Sequence, residues 1–137
     1  NFSDMMRQKT QAVLTADVDL ATALADFYNA ALDVYFQSSP VAGCFVFCTA
    51  PVEALAHPDI RDDVCSVMAE VDAELGKRFV LAQSAGQFPK RFPADEAARV
   101  AQAILHSLAL RARTGEPRAS LNGLVNNAVA LLCARDT

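Results

Sequence analysis

The chain has 137 residues and a formal net charge of −4, and its composition is 53% hydrophobic and 20% charged. This length is enough for one domain with its own core, and the composition is typical of a folded protein. The negative charge excludes a general electrostatic attraction of this segment to nucleic acid. No apolar run reaches the ~18 residues that suggest a membrane span, so we expect no membrane partner.

Apolar residues recur at helical spacing along nearly the whole chain and predict an all-α bundle of about six helices. The first helix covers residues 2–15 and the second residues 20–37, with Asp19 as the N-cap of the second. A short third helix starts at Pro40, and Pro51 breaks or kinks it. Periodicity alone would also allow a short buried strand here, and the helical context favours the helix.

Three longer helices complete the predicted bundle, over residues 57–85, 93–113 and 118–134, with Gly86 ending the first of them. The last two carry apolar residues on more than one face, and a helix of this kind must be buried on more than one side. We therefore expect the last two helices of two copies to form a twofold four-helix bundle. The predicted interface residues are Ala103, Ile104, Ser107, Leu121, Leu124, Val125 and Ala128.

The sequence contains no nucleophile elbow, phosphate-binding loop or zinc-ligand spacing, which favours a binding role over an enzyme. Cys44 and Cys48 are four residues apart among apolar neighbours, a setting typical of core cysteines. The irregular cysteine spacing predicts free thiols in a reducing compartment, hence a cytoplasmic protein. Glu53 and His57 do not form the Glu-x-x-His pair of a di-metal bundle. We therefore expect no metal site and no cofactor.

Aromatic residues of the middle helices provide a candidate ligand site. Tyr28 and Tyr35 share one helix face, and each adds a hydroxyl group to an apolar wall, the composition that small-molecule pockets have. With Phe45, Met68 and Asp72, they are predicted to line a pocket for a small apolar or amphipathic effector. For each of these aromatic residues, simple core packing is the alternative.

Three segments, in this order and spacing, are similar to those of a known family. The first is Gly43-Cys44-Phe45, with Ala50 following it. The second is a long helix that opens with His57-Pro58-Asp59 and ends with AQSAGQFP over residues 82–89. The third is LHSLALRARTG over residues 105–115, before a terminal helix. On these segments the chain resembles the C-terminal ligand-binding and dimerisation domain of the TetR family of bacterial transcriptional regulators.

The resemblance implies two parts: a connecting helix over residues 1–15, leading from a missing N-terminal helix-turn-helix domain, and an effector-binding and dimerisation domain over residues 16–137. A start at Asn1 agrees with that expectation. The resemblance further implies a homodimer, an effector bound among the middle helices and operator DNA bound by the N-terminal heads, usually as a repressor that the ligand releases. Ser107, where relatives often have glycine, and Pro51 depart from the family pattern. The alternative is an all-α protein-interaction or subunit domain without a ligand pocket.

Overall fold

The computed structural model describes residues 2–37 and 56–134, which form five α-helices and no strand. The helices are α1 (Phe2–Thr15), α2 (Leu20–Tyr35), α3 (Pro58–Ser84), α4 (Ala94–Arg113) and α5 (Arg118–Leu132). The all-α prediction is confirmed, and these helices begin and end within about two residues of the predicted bounds, the usual scatter at helix ends. The short helix predicted from Pro40 lies outside the described residues. Within the described ranges, no helix has both the length and the apolarity needed to cross a membrane.

Short polar and glycine signals set the ends of these helices. The Asp19 carboxylate accepts a hydrogen bond from the Thr22 backbone N–H at 2.8 Å, which confirms Asp19 as the N-cap of α2. Gly86 has a φ of +75°, and the next N–H, that of Gln87, donates to the Ala82 carbonyl at 2.8 Å. This bond closes the end of α3 in the manner of a Schellman motif, which glycine at this position favours.

Helix α2 lies at the centre of the domain and contacts each of the other four described helices. One face of α2 is buried along its whole length, by Leu20, Ala23, Leu24, Phe27, Tyr28, Ala31, Leu32 and Tyr35. Helices α3 and α4 have the most extensive mutual packing. They run antiparallel, because Gly76 lies opposite Ala98 while Met68, nearer the start of α3, lies opposite Gln102 further along α4. Because α2 contacts both α3 and α4, the core packs against one side of this pair.

Candidate functional site

Among the described residues, a groove open to solvent runs between α3 and α4. One half, of about 400 Å³, has a floor of small apolar side chains, formed by Ala69, Ala73, Gly76, Val80 and Ala94. The other half, of about 360 Å³, is more polar and is lined by Met68, Gln102, His106, Val100, Ala103 and Glu96. Asp72 and Arg99 line both halves, so the two halves adjoin at these side chains.

The shape of the apolar half follows from the spacing of small residues on α3. Ala69, Ala73, Gly76 and Val80 are four, three and four residues apart, which places them on one face of the helix. A Cβ atom added at Gly76 would have Ala98 Cβ as its nearest contact, at 4.0 Å. Because Gly76 has no side chain to fill this space, the groove remains open between the two helices at this point.

Gln102 organises the polar half. Its side chain is only 2% exposed, and its Nε2 donates hydrogen bonds to the Met68 carbonyl at 2.9 Å and to the Asp72 carboxylate. Because both amide hydrogens have oxygen acceptors, Gln102 Oε1 is the atom that faces His106 Nε2. These two atoms are 3.3 Å apart, so the His106 ring donates from Nε2. One buried amide thus fixes the orientation of both Asp72 and His106.

The protonation state of His106 follows from its surroundings. Partial burial lowers its pKa below the ordinary value of 6.5, and the nearby Asp72 carboxylate opposes this shift to a smaller extent. The imidazole is therefore neutral at pH 7. The neutral ring carries its proton on Nε2 and donates it to Gln102 Oε1, so this hydrogen bond does not need a charged imidazole.

The structure brings two of the predicted ligand-binding residues, Met68 and Asp72, together in the groove. Tyr28 and Tyr35 instead lie in the core, at 0% and 4% exposure, and neither lines the groove. The Tyr28 hydroxyl donates to the Ala101 carbonyl at 2.7 Å. Burial, and to a smaller extent Cys133, raises the pKa of the Tyr28 phenol far above 10.0, so the hydroxyl stays a donor. Phe45 lies outside the described residues.

The predicted dimer-interface residues divide into two sets. Leu121, Val125 and Ala128 are buried within the chain itself, at 0%, 1% and 4% exposure, and leave no surface for a second copy. They form one stripe of α5, and α5 packs mainly against α2. The other set is accessible: Ala103 is exposed, and Ile104, Ser107 and Leu124 are half-buried.

Gln102, which orients the polar groups of the groove, is not among the ligand-binding residues that the sequence predicts. Its signal is a polar residue in register with the buried residues Ala98, Leu105 and Ala109 of α4. A glutamine at such a position needs hydrogen-bond partners inside the domain, because an unsatisfied buried amide is costly. The partners, Met68 and Asp72, lie on a different helix and are therefore not evident from local spacing.

A second polar contact joins α3 to the turn between α1 and α2. Arg78 is 4% exposed, and its Nη2 donates to the Val18 carbonyl at 2.7 Å, while its Nε has no hydrogen-bond partner among the described residues. The Leu20 backbone N–H donates to Gln87 Oε1, just beyond the end of α3, at 2.9 Å. The position of this turn, and with it the end of α1, is therefore tied to α3.

The described cysteines, Cys65 and Cys133, are free thiols. Burial, together with a smaller effect of Asp19, raises the pKa of the Cys133 thiol and so disfavours the reactive thiolate. Cys44 and Cys48 lie outside the described residues. Across the described ranges, no three His, Cys, Asp or Glu side chains are grouped as metal ligands would be.

Comparison of the chain with models of protein families, with curated proteins and with solved structures found no match. The geometry of the groove and of the exposed helix faces therefore carries the functional argument.

Proposed function

We propose that this chain is the effector-binding and dimerisation domain of a TetR-like transcriptional regulator, a cytoplasmic and non-enzymatic protein that represses until a ligand binds. The observation that supports this most is the α3–α4 groove. Met68 and Asp72 both line it, and buried Gln102 holds the Asp72 carboxylate in place. A groove with an apolar floor and a few oriented polar groups has the composition of a small-molecule site.

The route from the groove to DNA in this proposal runs through α3. A ligand between α3 and α4 favours one position of α3 over another, and Arg78 links α3 to the Val18 carbonyl. Val18 lies in the turn directly after α1, and the family resemblance assigns α1 as the connection to the DNA-reading heads. Ligand binding shifts the equilibrium only if its affinity differs between the two arrangements.

The homodimer in this proposal uses the outward face of α4. Val100, Ala103, Ser107 and Leu110 are three, four and three residues apart and form one stripe along this face. Within the stripe, Val100 and Leu110 are 53% and 56% exposed. Exposed apolar residues aligned along a helix are typical of a surface that another element covers. A second copy packed against this stripe would form an isologous contact.

A protein-interaction domain is the second candidate, and one observation favours it. The groove is open along its length in the part of the chain that the structure describes, and an amphipathic helix of another protein also binds in open apolar grooves. In this case the chain would pair with a foreign protein and would show no small-molecule response.

The test uses the full-length product of the gene that encodes this chain. Its binding to the DNA upstream of its own gene is measured at a stated salt concentration, with and without a small-molecule library, and its mass is measured by sedimentation. A dimer that binds this DNA specifically and is released by a compound supports the regulator. A folded protein without specific DNA binding that instead forms a stable complex with a foreign chain supports the second candidate.

A further inference from the structure

The charges that line the α3–α4 groove are not balanced. Its two basic side chains are already paired, Lys77 with Glu74 at 3.4 Å and Arg99 with Glu96 at 3.1 Å. Asp72 lines both halves. Among the described residues it forms no ion pair with any lysine or arginine.

The neutral polar groups of the groove lack donors for a ligand. Gln102 Nε2 uses both hydrogens on Met68 and Asp72, and the His106 Nε2–H faces Gln102 Oε1. One oxygen of the Asp72 carboxylate accepts from Gln102, and the other oxygen accepts no hydrogen bond from the described residues. A ligand that satisfies this half-buried carboxylate must therefore bring a hydrogen-bond donor, N–H or O–H, and a positively charged N–H donor makes the stronger bond.

The apolar half limits the size and shape of such a ligand. Its floor extends from Asp72 past Ala73 and Gly76 to Val80, along about two turns of α3. The volume of this half is about 400 Å³. A space of this size accommodates an aryl or alkyl group of moderate size. The groove therefore combines two carboxylates that form no ion pair among the described residues, Asp72 where its halves meet and Asp95 at its end, with an adjoining apolar surface.

We propose that the α3–α4 groove binds a small organic cation, whose ammonium group donates to Asp72 and whose apolar part covers Ala73, Gly76 and Val80. This names the ligand class of the effector site proposed above and rests on that function. Asp72 supplies the charge that selects a cation. Gly76 supplies the space for the apolar part.

The experiment is an NMR titration of the ¹⁵N-labelled chain with three compounds of similar shape and different charge: 4-phenylbutylamine, 4-phenylbutan-1-ol and 5-phenylpentanoate. The amine is expected to bind with a dissociation constant of about 0.1–1 mM, the range for a ligand of this size at ordinary efficiency. Its shifts are expected at the amides of Asp72, Ala73 and Gly76 and at the Gln102 side-chain amide. The alcohol is expected to bind about tenfold more weakly, and the carboxylate more weakly still.

Two substitutions and a matched control separate charge from space. Asp72→Asn keeps an oxygen for the Gln102 hydrogen bond and is expected to weaken amine binding by about tenfold. Asp26→Asn removes the same charge from an exposed position on α2, outside the groove, and is expected to change it by less than about threefold. Gly76→Leu fills the apolar half and is expected to abolish binding of both the amine and the alcohol. Thermal unfolding shows that each variant is folded.

Equal binding of the three compounds, shifts located away from the groove, or an Asp72→Asn variant that binds the amine normally would overturn the proposal. Shifts of the Ala73 and Gly76 amides with chain concentration alone, without any compound, would show that a second copy covers the apolar half, beyond the edge at Val100 and Ala103 that the proposed dimer uses, and would also overturn it. The proposed function fails separately. If the amine binds in the groove but the full-length protein shows no specific DNA binding, the ligand class stands and the regulator does not.

Discussion

Replacing Tyr28 by phenylalanine tests whether this hydroxyl serves the core or a ligand. Tyr28 is 0% exposed, its ring lies 5.3 Å from that of Phe27, and its hydroxyl donates to the Ala101 carbonyl at 2.7 Å. This hydrogen bond joins α2 to α4 across 73 residues of sequence. The substitution removes one buried donor and leaves the packing of the ring unchanged.

The expected loss of stability is about 1 kcal/mol, within the range for one neutral buried hydrogen bond. The loss stays near this value because the Ala101 carbonyl lies inside α4 and keeps its helical hydrogen bond to the N–H four residues later. For a chain of this length, about 1 kcal/mol corresponds to a fall in Tm of about 3–4 °C.

The assay is urea unfolding of Tyr28→Phe and the unsubstituted chain, followed by circular dichroism, together with the amine titration. We expect a lower midpoint, an unchanged m-value and unchanged amine binding. A variant with unchanged stability and lost binding would refute this reasoning and would support Tyr28 as one of the ligand-binding residues that the sequence predicts. A gain in stability would show that the hydroxyl is not satisfied in the core.

Three further predictions concern a glycine pair, a histidine and the α4 stripe. Gly76→Ala is expected to stabilise the chain by about 0.5–1 kcal/mol in urea unfolding, because alanine favours the helix. Its Cβ would meet nothing closer than 4.0 Å. Gly86 has a φ of +75°, and Gly86→Ala is therefore expected to destabilise the chain by about 1 kcal/mol. The folded state holds the pKa of His106 below its unfolded value of 6.5, so the unfolded state binds the proton first, and stability falls as the pH drops below about 6.5. His106→Gln is expected to lose this fall in Tm measured between pH 7.5 and 5.5. If the proposed dimer forms through the α4 stripe, Ser107→Arg is expected to give a monomer in sedimentation, because it places an unpaired charge in that interface, beside Arg111.

Gly76→Ala and Gly86→Ala serve as controls for each other. They are expected to change the free energy of unfolding in opposite directions, so equal changes would refute the argument from backbone conformation. His57→Gln removes the other histidine and should keep the pH dependence of the unsubstituted chain. The groups that face His106, namely Asp72 on α3 with Glu96 and Arg99 on α4, remain in both histidine variants. An intact dimer of Ser107→Arg would exclude the α4 stripe as the interface.

The sequence predicts the helices well because their signals are local. Asp19 caps α2 through a residue three positions later, and Gly86 ends α3 through its own backbone conformation. These interactions need no knowledge of the rest of the fold. The apolar stripe of α2 likewise predicts that this face of the helix is buried, because the face must be covered whichever element packs against it.

The partners of a buried face could not be predicted in this way. Leu121, Val125 and Ala128 form an apolar stripe, which shows that the face is covered but not whether another copy or α2 covers it. The same holds for Tyr28, whose inward orientation is evident from spacing while its partner, Ala101, is remote in sequence. The groove depends on Asp72 and Gln102, which meet only because α3 and α4 pack antiparallel.

The most direct test of the central claim is the affinity of the full-length gene product for the DNA upstream of its own gene, at one stated salt concentration, with and without 4-phenylbutylamine. We expect a dimer that binds this DNA specifically and loses affinity when the amine is added, and an Asp72→Asn variant that keeps DNA binding and loses the response. A folded, full-length protein that binds this DNA no better than unrelated DNA of equal length would contradict it.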